Sequence, residues 1–232
     1  MLSKKNQDKI IAILEHKNYK SIQDNFIAYP TDTNTISSLI KLANRFKFNV
    51  SVVGSGSTFD NSEIFDNILY LSTTKLNDII EIDLENLFIN VGSGMIWSKL
   101  FNDLNDKTMF FPLLHKKKCG RTIGGIFSTM KPYSSAATYI KGIQFISPTG
   151  ELINYGCKTL KNVAGYDLSQ FMIGSYGKFG VITSILLKLF PTEKTFFNPE
   201  TVDEICSKNT ADPVSLLYKR IKKEIDPNDI FI

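Results

Sequence analysis

Three short loops rich in glycine and hydroxyl residues hold the residue types best suited to gripping a bound anion or a flat ring. The first, Val52 to Phe59 (VVGSGSTF), presents Gly54, Ser55, Gly56, Ser57 and Thr58 directly after an apolar run. Glycines there permit the positive φ values that turn successive backbone N–H groups inward, which makes an anion nest suited to a pyrophosphate. A plain turn accounts for the same residues. The loop lacks the GxGxxG spacing that leads directly into a helix, so a Rossmann site is disfavoured. The second loop, Cys119-Gly120-Arg121-Thr122-Ile123-Gly124-Gly125, precedes a short helix-like run from Ile126. Gly124 and Gly125 at a helix start would let backbone amides approach a phosphate or a flat ring, and a purely structural entry to that helix fits equally well. In the third, Gly174, Ser175, Gly177, Gly180 and Ile182 run from a turn into an apolar segment. Alone, it reads as a bulge or tight strand entry.

Side chains with catalytic potential are fewer. His115 is the histidine near the second loop, and its neighbours Lys116, Lys117 and Lys118 would lower its pKa and attract a carboxylate. A solvated basic loop, or one that contacts a partner, is the simpler reading of this run. Arg121 suits either an acidic ligand or the surface, so no catalytic residue is assigned. Tyr166 and Asp167 read as turn and packing residues, and Trp97 as core. Cys119, Cys157 and Cys206 are far apart and odd in number, which argues against a disulfide framework or a CxxC metal site and for a reducing compartment. No metal site is expected.

The elements that position these loops follow from periodicity. Ile36, Leu39, Ile40, Ala43 and Phe46 recur at helical spacing behind a Thr/Asn/Asp-rich start. Asn49 to Val53 and Asn67 to Leu71 read as strands on either side of the first loop, giving a small α/β lobe. A hairpin is expected where Ile79, Ile80 and Ile82 are separated by polar Asp83 to Asn86 from Leu87, Ile89 and Val91. Met95 to Leu104 has a helix face. Ile140 to Ile146 and Glu151 to Tyr155 flank Pro148-Thr149-Gly150 as a second hairpin. Asp167 to Met172 reads as a short helix, Val181 to Phe190 as a long strand, and Val214 to Glu224 as a basic helix before the turn Asp226 to Asp229. A larger lobe of mainly antiparallel strands follows from this order.

Bulk properties exclude some functions. The 232 residues, 43% of them hydrophobic, suit one compact two-lobed domain, and a net charge of +4 is too small and too evenly spread to indicate nucleic acid. Lys4 and Lys5 precede Ile10, Ile11, Ile13 and Leu14, but Asp8, Lys9 and Glu15 interrupt any signal-like apolar stretch, so an amphipathic helix is expected. A cytoplasmic location follows, with peripheral docking on a membrane open to it through partners.

The order GSGST, TIGG and KNVAGYDLSQFMIGSYGKFGVIT resembles the FAD-binding domain of the vanillyl-alcohol oxidase and para-cresol methylhydroxylase superfamily. The block Lys161 to Leu168 with Gly174 to Gly177 and Gly180 to Thr183 is similar to the flavin subunits of glycolate oxidase and related D-2-hydroxyacid dehydrogenases, especially the smaller glycolate oxidase flavin subunit. The resemblance spans about residues 28–191 and implies an α+β, two-lobed FAD-binding fold of the para-cresol methylhydroxylase type. It implies that Gly54 to Thr58 cradle the pyrophosphate, that Gly120, Thr122, Ile123, Gly124 and Gly125 lie along pyrophosphate and ring, and that the third loop, through Gly180 and Ile182, meets the adenine and ribose end. The first loop has Ser57 where relatives that attach FAD covalently place a histidine, so non-covalent FAD is implied.

By the same resemblance, residues 1–27 are an N-terminal helix and lead-in, residues 192–213 stand in place of the cap domain, and residues 214–232 form a closing helix and DP turn. The function implied is a subunit of a heteromeric glycolate or 2-hydroxyacid oxidoreductase, partnered by a larger flavin subunit and an iron–sulfur subunit and not fully active alone. The alternative is a non-catalytic assembly subunit whose flavin site is structural or decayed.

Overall fold

The computed structural model describes residues 2–14, 18–22, 25–56, 67–114, 119–131, 134–156, 169–192, 200–201 and 215–232. Two sheets, each with its own apolar core, organise them.

The smaller lobe begins with helix α1 (Lys4–Ile13) and a hairpin of β1 (Tyr19–Ile22) and β2 (Asn25–Ala28). Helix α2 (Thr33–Phe46) then leads to β3 (Asn49–Val53), and β4 (Ile68–Ser72) lies between β2 and β3, parallel to both. Asp32 caps α2: its carboxylate accepts the Thr35 N–H at 2.8 Å and the Thr35 hydroxyl at 2.7 Å. The helix stops at Lys47, left-handed at φ 51. The apolar spacing works as expected, since Ile36, Leu39, Ile40 and Ala43 are all buried. They pack with Ile10 of α1 and with Val50, Leu69 and Leu71 of the strands. Each fully buried Leu, Ile or Phe adds roughly 1.5–3 kcal/mol over leaving it in water.

The larger lobe is an antiparallel sheet in the order β10-β9-β11-β6-β5. Its strands are β5 (Ile79–Asp83), β6 (Phe88–Gly92), β9 (Ile140–Ile146), β10 (Leu152–Gly156) and β11 (Val181–Lys188). Both expected hairpins form. The β5–β6 turn closes as Asp83 accepts the Asn86 N–H at 2.9 Å and Leu87 adopts φ 61. Helices α3 (Trp97–Asn105) and α4 (Ile123–Thr129) bury Trp97, Leu100, Leu104, Ile126 and Phe127 in this lobe's core. The Trp97 ring meets Phe111 edge-on at 6.0 Å, and Phe111 meets Phe127 at 6.1 Å. Short strands complete the lobe: β7 (Met109–Phe110) pairs β12 (Phe190–Pro191), and β8 (Leu113–Leu114) pairs β13 (Glu200–Thr201) in parallel. The four-residue helix α5 (Ser169–Met172) precedes the third loop.

The lobes are joined by shared residues. Ile146 at the end of β9 and Val181 at the start of β11 belong to the smaller lobe's core. Ser37 of α2 donates to the Gly150 carbonyl, and Asn44 donates to the Pro148 carbonyl at 2.7 Å. After helix α6 (Ser215–Ile225) the chain returns to β3: Val50 N–H donates to Ile230 O at 2.7 Å, and Ile232 N–H donates to Val50 O at 3.2 Å. Buried Asp226 holds that return by accepting the Ile230 and Phe231 N–H groups at 3.1 and 2.9 Å. Among the described residues no helix is long and apolar enough to cross a membrane.

Candidate functional site

Strand β3 delivers the first loop to the seam between the lobes, where the second loop already lies. A Cβ built on Gly54 would stand 2.2 Å from the Thr122 hydroxyl oxygen, so these loops from different lobes touch and the contact demands a glycine. The first loop is tied to β4 as well, because the Ser72 hydroxyl donates to Gly54 O at 3.3 Å and Thr73 N–H donates to Val53 O at 3.1 Å. Beyond Gly54 it opens outward: Ser55 and Gly56 are exposed, and Gly56 holds φ 78 with nothing within 4 Å of a Cβ. Ser57 and Thr58 lie outside the described residues, as do His16, His115 to Lys118 and the Lys161 to Leu168 block.

The second loop is pinned to the end of β6. Ile123 N–H donates to Met95 O and Gly124 N–H to Ser93 O, both at 2.8 Å, and Trp97 N–H donates to Arg121 O at 3.0 Å. Thr122 caps α4 by accepting Gly125 N–H at 3.2 Å, while Ile126 N–H donates to Thr122 O. The amides at the start of α4 therefore already have acceptors inside the protein. The expectation that they would reach toward a phosphate gives way to a packing role for the glycines. A Cβ on Gly124 would fall 2.8 Å from Ser93 Cβ, and one on Gly125 would fall 3.0 Å from Thr122 Oγ1. Gly125 itself is half-buried. Arg121 is half-buried, and its guanidinium donates to Thr129 Oγ1 at 2.7 Å and to Gly125 O at 3.4 Å. It braces α4. Gly120 is exposed with nothing within 4 Å of a Cβ, so neither packing nor backbone conformation requires a glycine there.

The third loop closes on both others. Gly174 N–H donates to Phe127 O at 3.1 Å and Tyr176 N–H to Ser128 O at 2.7 Å, fastening it to the end of α4. Gly177, at φ 78, comes against β3: a Cβ there would lie 3.1 Å from Val52 Cβ. Ser175 is buried, and its hydroxyl accepts Gly177 N–H at 3.3 Å. Gly180 takes φ 132 beneath the Ile146 carbonyl, 2.3 Å from where a Cβ would be. The Ile182 side chain belongs to the larger lobe's core, which leaves only its backbone available to a ligand.

Besides Thr122 and Ser175, which the sequence singles out, further hydroxyl groups lie between these loops. Ser72, Thr73, Ser93, Thr122, Ser175, Thr183 and Ser184 are all buried. Most have partners in the protein, as when Thr183 Oγ1 donates to Gln144 O at 3.1 Å. Ser93 Oγ, fully buried beside Gly124, has no hydrogen-bond partner among the described residues. Burying a hydroxyl without a partner costs roughly 1–3 kcal/mol, and Asn90 Oδ1 and Trp97 Nε1 are buried without a hydrogen-bond partner in the same way among the described residues. Glycines that approach side chains too closely for a Cβ and an exposed loop with a positive-φ glycine together fit an elongated, partly aromatic anion such as FAD. Among the described residues no group of three or more His, Cys, Asp or Glu side chains is placed to hold a metal ion.

Known proteins share sequence and fold with this chain. The glycolate oxidase subunit GlcD of Bacillus subtilis is 30% identical over 184 residues, covering 76% of this chain and 39% of that protein. The glycolate oxidase subunit GlcE of Escherichia coli is 40% identical over 73 residues, covering 31% of this chain and 21% of that protein. The chain thus spans about two fifths or less of these relatives' length. The solved structure of alkyldihydroxyacetonephosphate synthase superposes with a TM-score of 0.69 over 82% of this chain and 41% of its own, at 15% identity, which speaks for the fold alone. The FAD binding domain family matches residues 25–156, from β2 through the second hairpin, and this chain belongs to that family.

Proposed function

We propose that the chain binds FAD non-covalently at the seam between its lobes and serves as a flavin-binding subunit of a multi-subunit oxidoreductase acting on glycolate or a related 2-hydroxyacid. The observation that carries this reading is the mutual contact of the three loops: Gly54 against Thr122, Gly177 against Val52, and Gly174 on the end of α4. In this reading the exposed Gly54-Ser55-Gly56 turn, with Ser57 and Thr58, receives the pyrophosphate. Gly120, Thr122, Ile123, Gly124 and Gly125 border the ring, and Gly174, Ser175, Gly177, Gly180 and Ile182 border the adenosine end. Bound FAD supplies a two-electron acceptor for the carbon that bears the substrate hydroxyl.

The protein's own contribution is to position and to exclude water. Thr122 and Arg121 hold α4 in place. In this reading partners supply the group that takes the substrate proton and the route for electrons. A larger flavin subunit and an iron–sulfur subunit fit those needs, and the names of the GlcD and GlcE relatives support an assembly of this kind. Residues 28–191 then form the flavin domain, and residues 192–213 replace the substrate-covering cap.

The test is direct. The purified chain is expected to show the absorption bands of oxidised flavin, to release the flavin on acid denaturation, and to melt at a higher temperature with added FAD. A hundredfold excess over Kd corresponds to about 2.7 kcal/mol of stabilisation. A colourless protein whose melting temperature ignores FAD would instead mark a subunit with a decayed flavin site. Anaerobic glycolate and D-lactate should leave the flavin of the isolated chain oxidised, and rapid bleaching would overturn the dependence on partners.

A further inference from the structure

Exposed large apolar side chains are concentrated in one place. Ile79 (37%), Ile80 (58%), Ile82 (36%) and Leu84 (41%) fall within six residues on or beside β5, the terminal strand of the larger sheet. Ile79 pairs with Val91 and Ile82 with Ile89, and both partners are core residues, so these two isoleucines continue the core-facing side of the sheet past its last covered strand. Glu81 and Asp83 pair with Asn90 and Phe88 and occupy the opposite side. A strand at a sheet's end also presents a row of backbone groups turned away from its neighbour. Proteins usually protect such an edge, and an apolar one is a ready template for another strand.

The charges decide what can pair there. The segment Asp78-Ile79-Ile80-Glu81-Ile82-Asp83-Leu84-Glu85 holds four carboxylates and no lysine or arginine, in a chain whose net charge is +4. Lys188 lies in the same row as Phe88 and Asp83, donates to the Asn86 carbonyl at 2.7 Å and is attracted by Asp83, so it offsets one of the four charges. A second copy pairing antiparallel about a two-fold axis would bring its own four carboxylates into the ladder, opposing Glu81 to Glu81 in the centred register, and like charges directly opposite are destabilising.

We propose that β5 is a docking edge for an extended segment of a partner protein in which apolar residues alternate with lysine or arginine. Such a segment adds a strand to the sheet, covers Ile79 and Ile82 with its apolar side, and sets its cations against Glu81 and Glu85. None of these residues belongs to the proposed cofactor loops, so the surface stands independently of flavin binding.

The experiment titrates the full chain with two labelled nine-residue peptides, one alternating valine with lysine and the other valine with glutamate. Hydrogen exchange is followed in the same samples. The lysine peptide is expected to bind at least tenfold more tightly, to weaken in high salt, and to slow exchange of the amides at 79–83. The exposed-site variant Glu81→Lys/Glu85→Lys should reverse the peptide preference, and Ile80→Lys should weaken the lysine peptide at least tenfold. Unchanged melting temperatures certify that both variants fold. Equal binding of the two peptides, no binding of either, protection elsewhere than β5, or self-association abolished by Ile80→Lys would each overturn the proposal.

Discussion

The contact between Gly54 and Thr122 makes a prediction whose size follows from the geometry. Alanine in place of a glycine with ordinary φ normally stabilises by about 0.4–1 kcal/mol, because the unfolded chain loses freedom. Gly54→Ala cannot realise that gain, since its Cβ would lie 2.2 Å from Thr122 Oγ1. Thr122 can retreat only by turning about χ1 to a rotamer that points its Cβ hydrogen at the new methyl. A β-branched side chain has few such choices. Turning also withdraws the hydroxyl from Gly125 N–H, now at 3.2 Å, and losing an N-cap costs about 1 kcal/mol. Gly54→Ala should therefore destabilise, and Thr122→Ala should cost about 1 kcal/mol through the same cap.

Together the two changes lose that cap only once. With the hydroxyl removed, the nearest remaining atom of residue 122 is its Cβ at 3.4 Å, an ordinary contact. The expected result is a double variant about 1 kcal/mol more stable than the sum of the singles, measured from urea midpoints of the FAD-free protein at constant m-value. Additivity to within about 0.5 kcal/mol would mean that the loops do not touch, and the argument for a shared site at the seam would fail with it.

Glycine positions elsewhere separate folding from binding. Gly180→Ala meets both a φ of 132 and the Ile146 carbonyl oxygen at 2.3 Å, a backbone atom that cannot turn aside, so a loss of about 3 kcal/mol is expected in thermal or urea unfolding. Gly120→Ala meets neither obstacle; its stability should stay within about 0.5 kcal/mol of the parent, while FAD affinity, read by fluorescence titration, falls tenfold or more if the proposed site is right. Acid should weaken the cap of α2. Burial pulls the Asp32 carboxyl upward, but hydrogen bonds from the Thr35 hydroxyl and N–H, the Asn34 N–H and the Thr31 hydroxyl outweigh it, leaving its pKa below the ordinary 3.8. Its contribution is thus complete above pH 3.8 and is lost as pH falls through the lower folded value. Because the group is largely exposed, the effect should stay under about 1 kcal/mol. Asp32→Asn should flatten that part of the stability profile, and an unchanged acid slope would refute the assignment.

Local patterns in the sequence identify elements whose stabilisation is itself local. Helical spacing finds α2 because one stripe of it is buried, and Asp83 to Asn86 and Pro148 to Gly150 announce their hairpins by side-chain and backbone chemistry within the turn. The Tyr19–Ala28 hairpin has no such signature, and it forms because β2 finds β4 some forty residues later. The apolar run from Val181 to Phe190 reads as one strand, yet the ladder with β6 ends at Lys188, and Phe190 turns to pair with Phe110. That break depends on a distant partner. Of the site, the glycines are visible as composition, whereas the buried Ser93 hydroxyl becomes conspicuous only once its neighbours are known to leave it unpaired.

The same distinction bears on how the three loops divide the work of holding a dinucleotide. Glycine-rich sequence suggests backbone donors in all three, but the amides of Ile123, Gly124 and Gly125 and those of Gly174, Tyr176 and Gly177 already donate to acceptors within the protein. A phosphate offers only acceptors, so it gains little from donors already engaged and would have to break those bonds at about 0.5–1.5 kcal/mol each. In the proposed FAD site, pyrophosphate recognition is assigned to the Gly54–Gly56 turn and the residues that follow it, with Ser55 and Gly56 exposed. The second and third loops hold that turn in position through Thr122 against Gly54 and Gly177 against Val52. Exchanging glycine for alanine in the first loop beyond the Thr122 contact should thus weaken pyrophosphate binding, whereas the same exchange at Gly124 or Gly177 should first be felt in packing, against Ser93 and Val52.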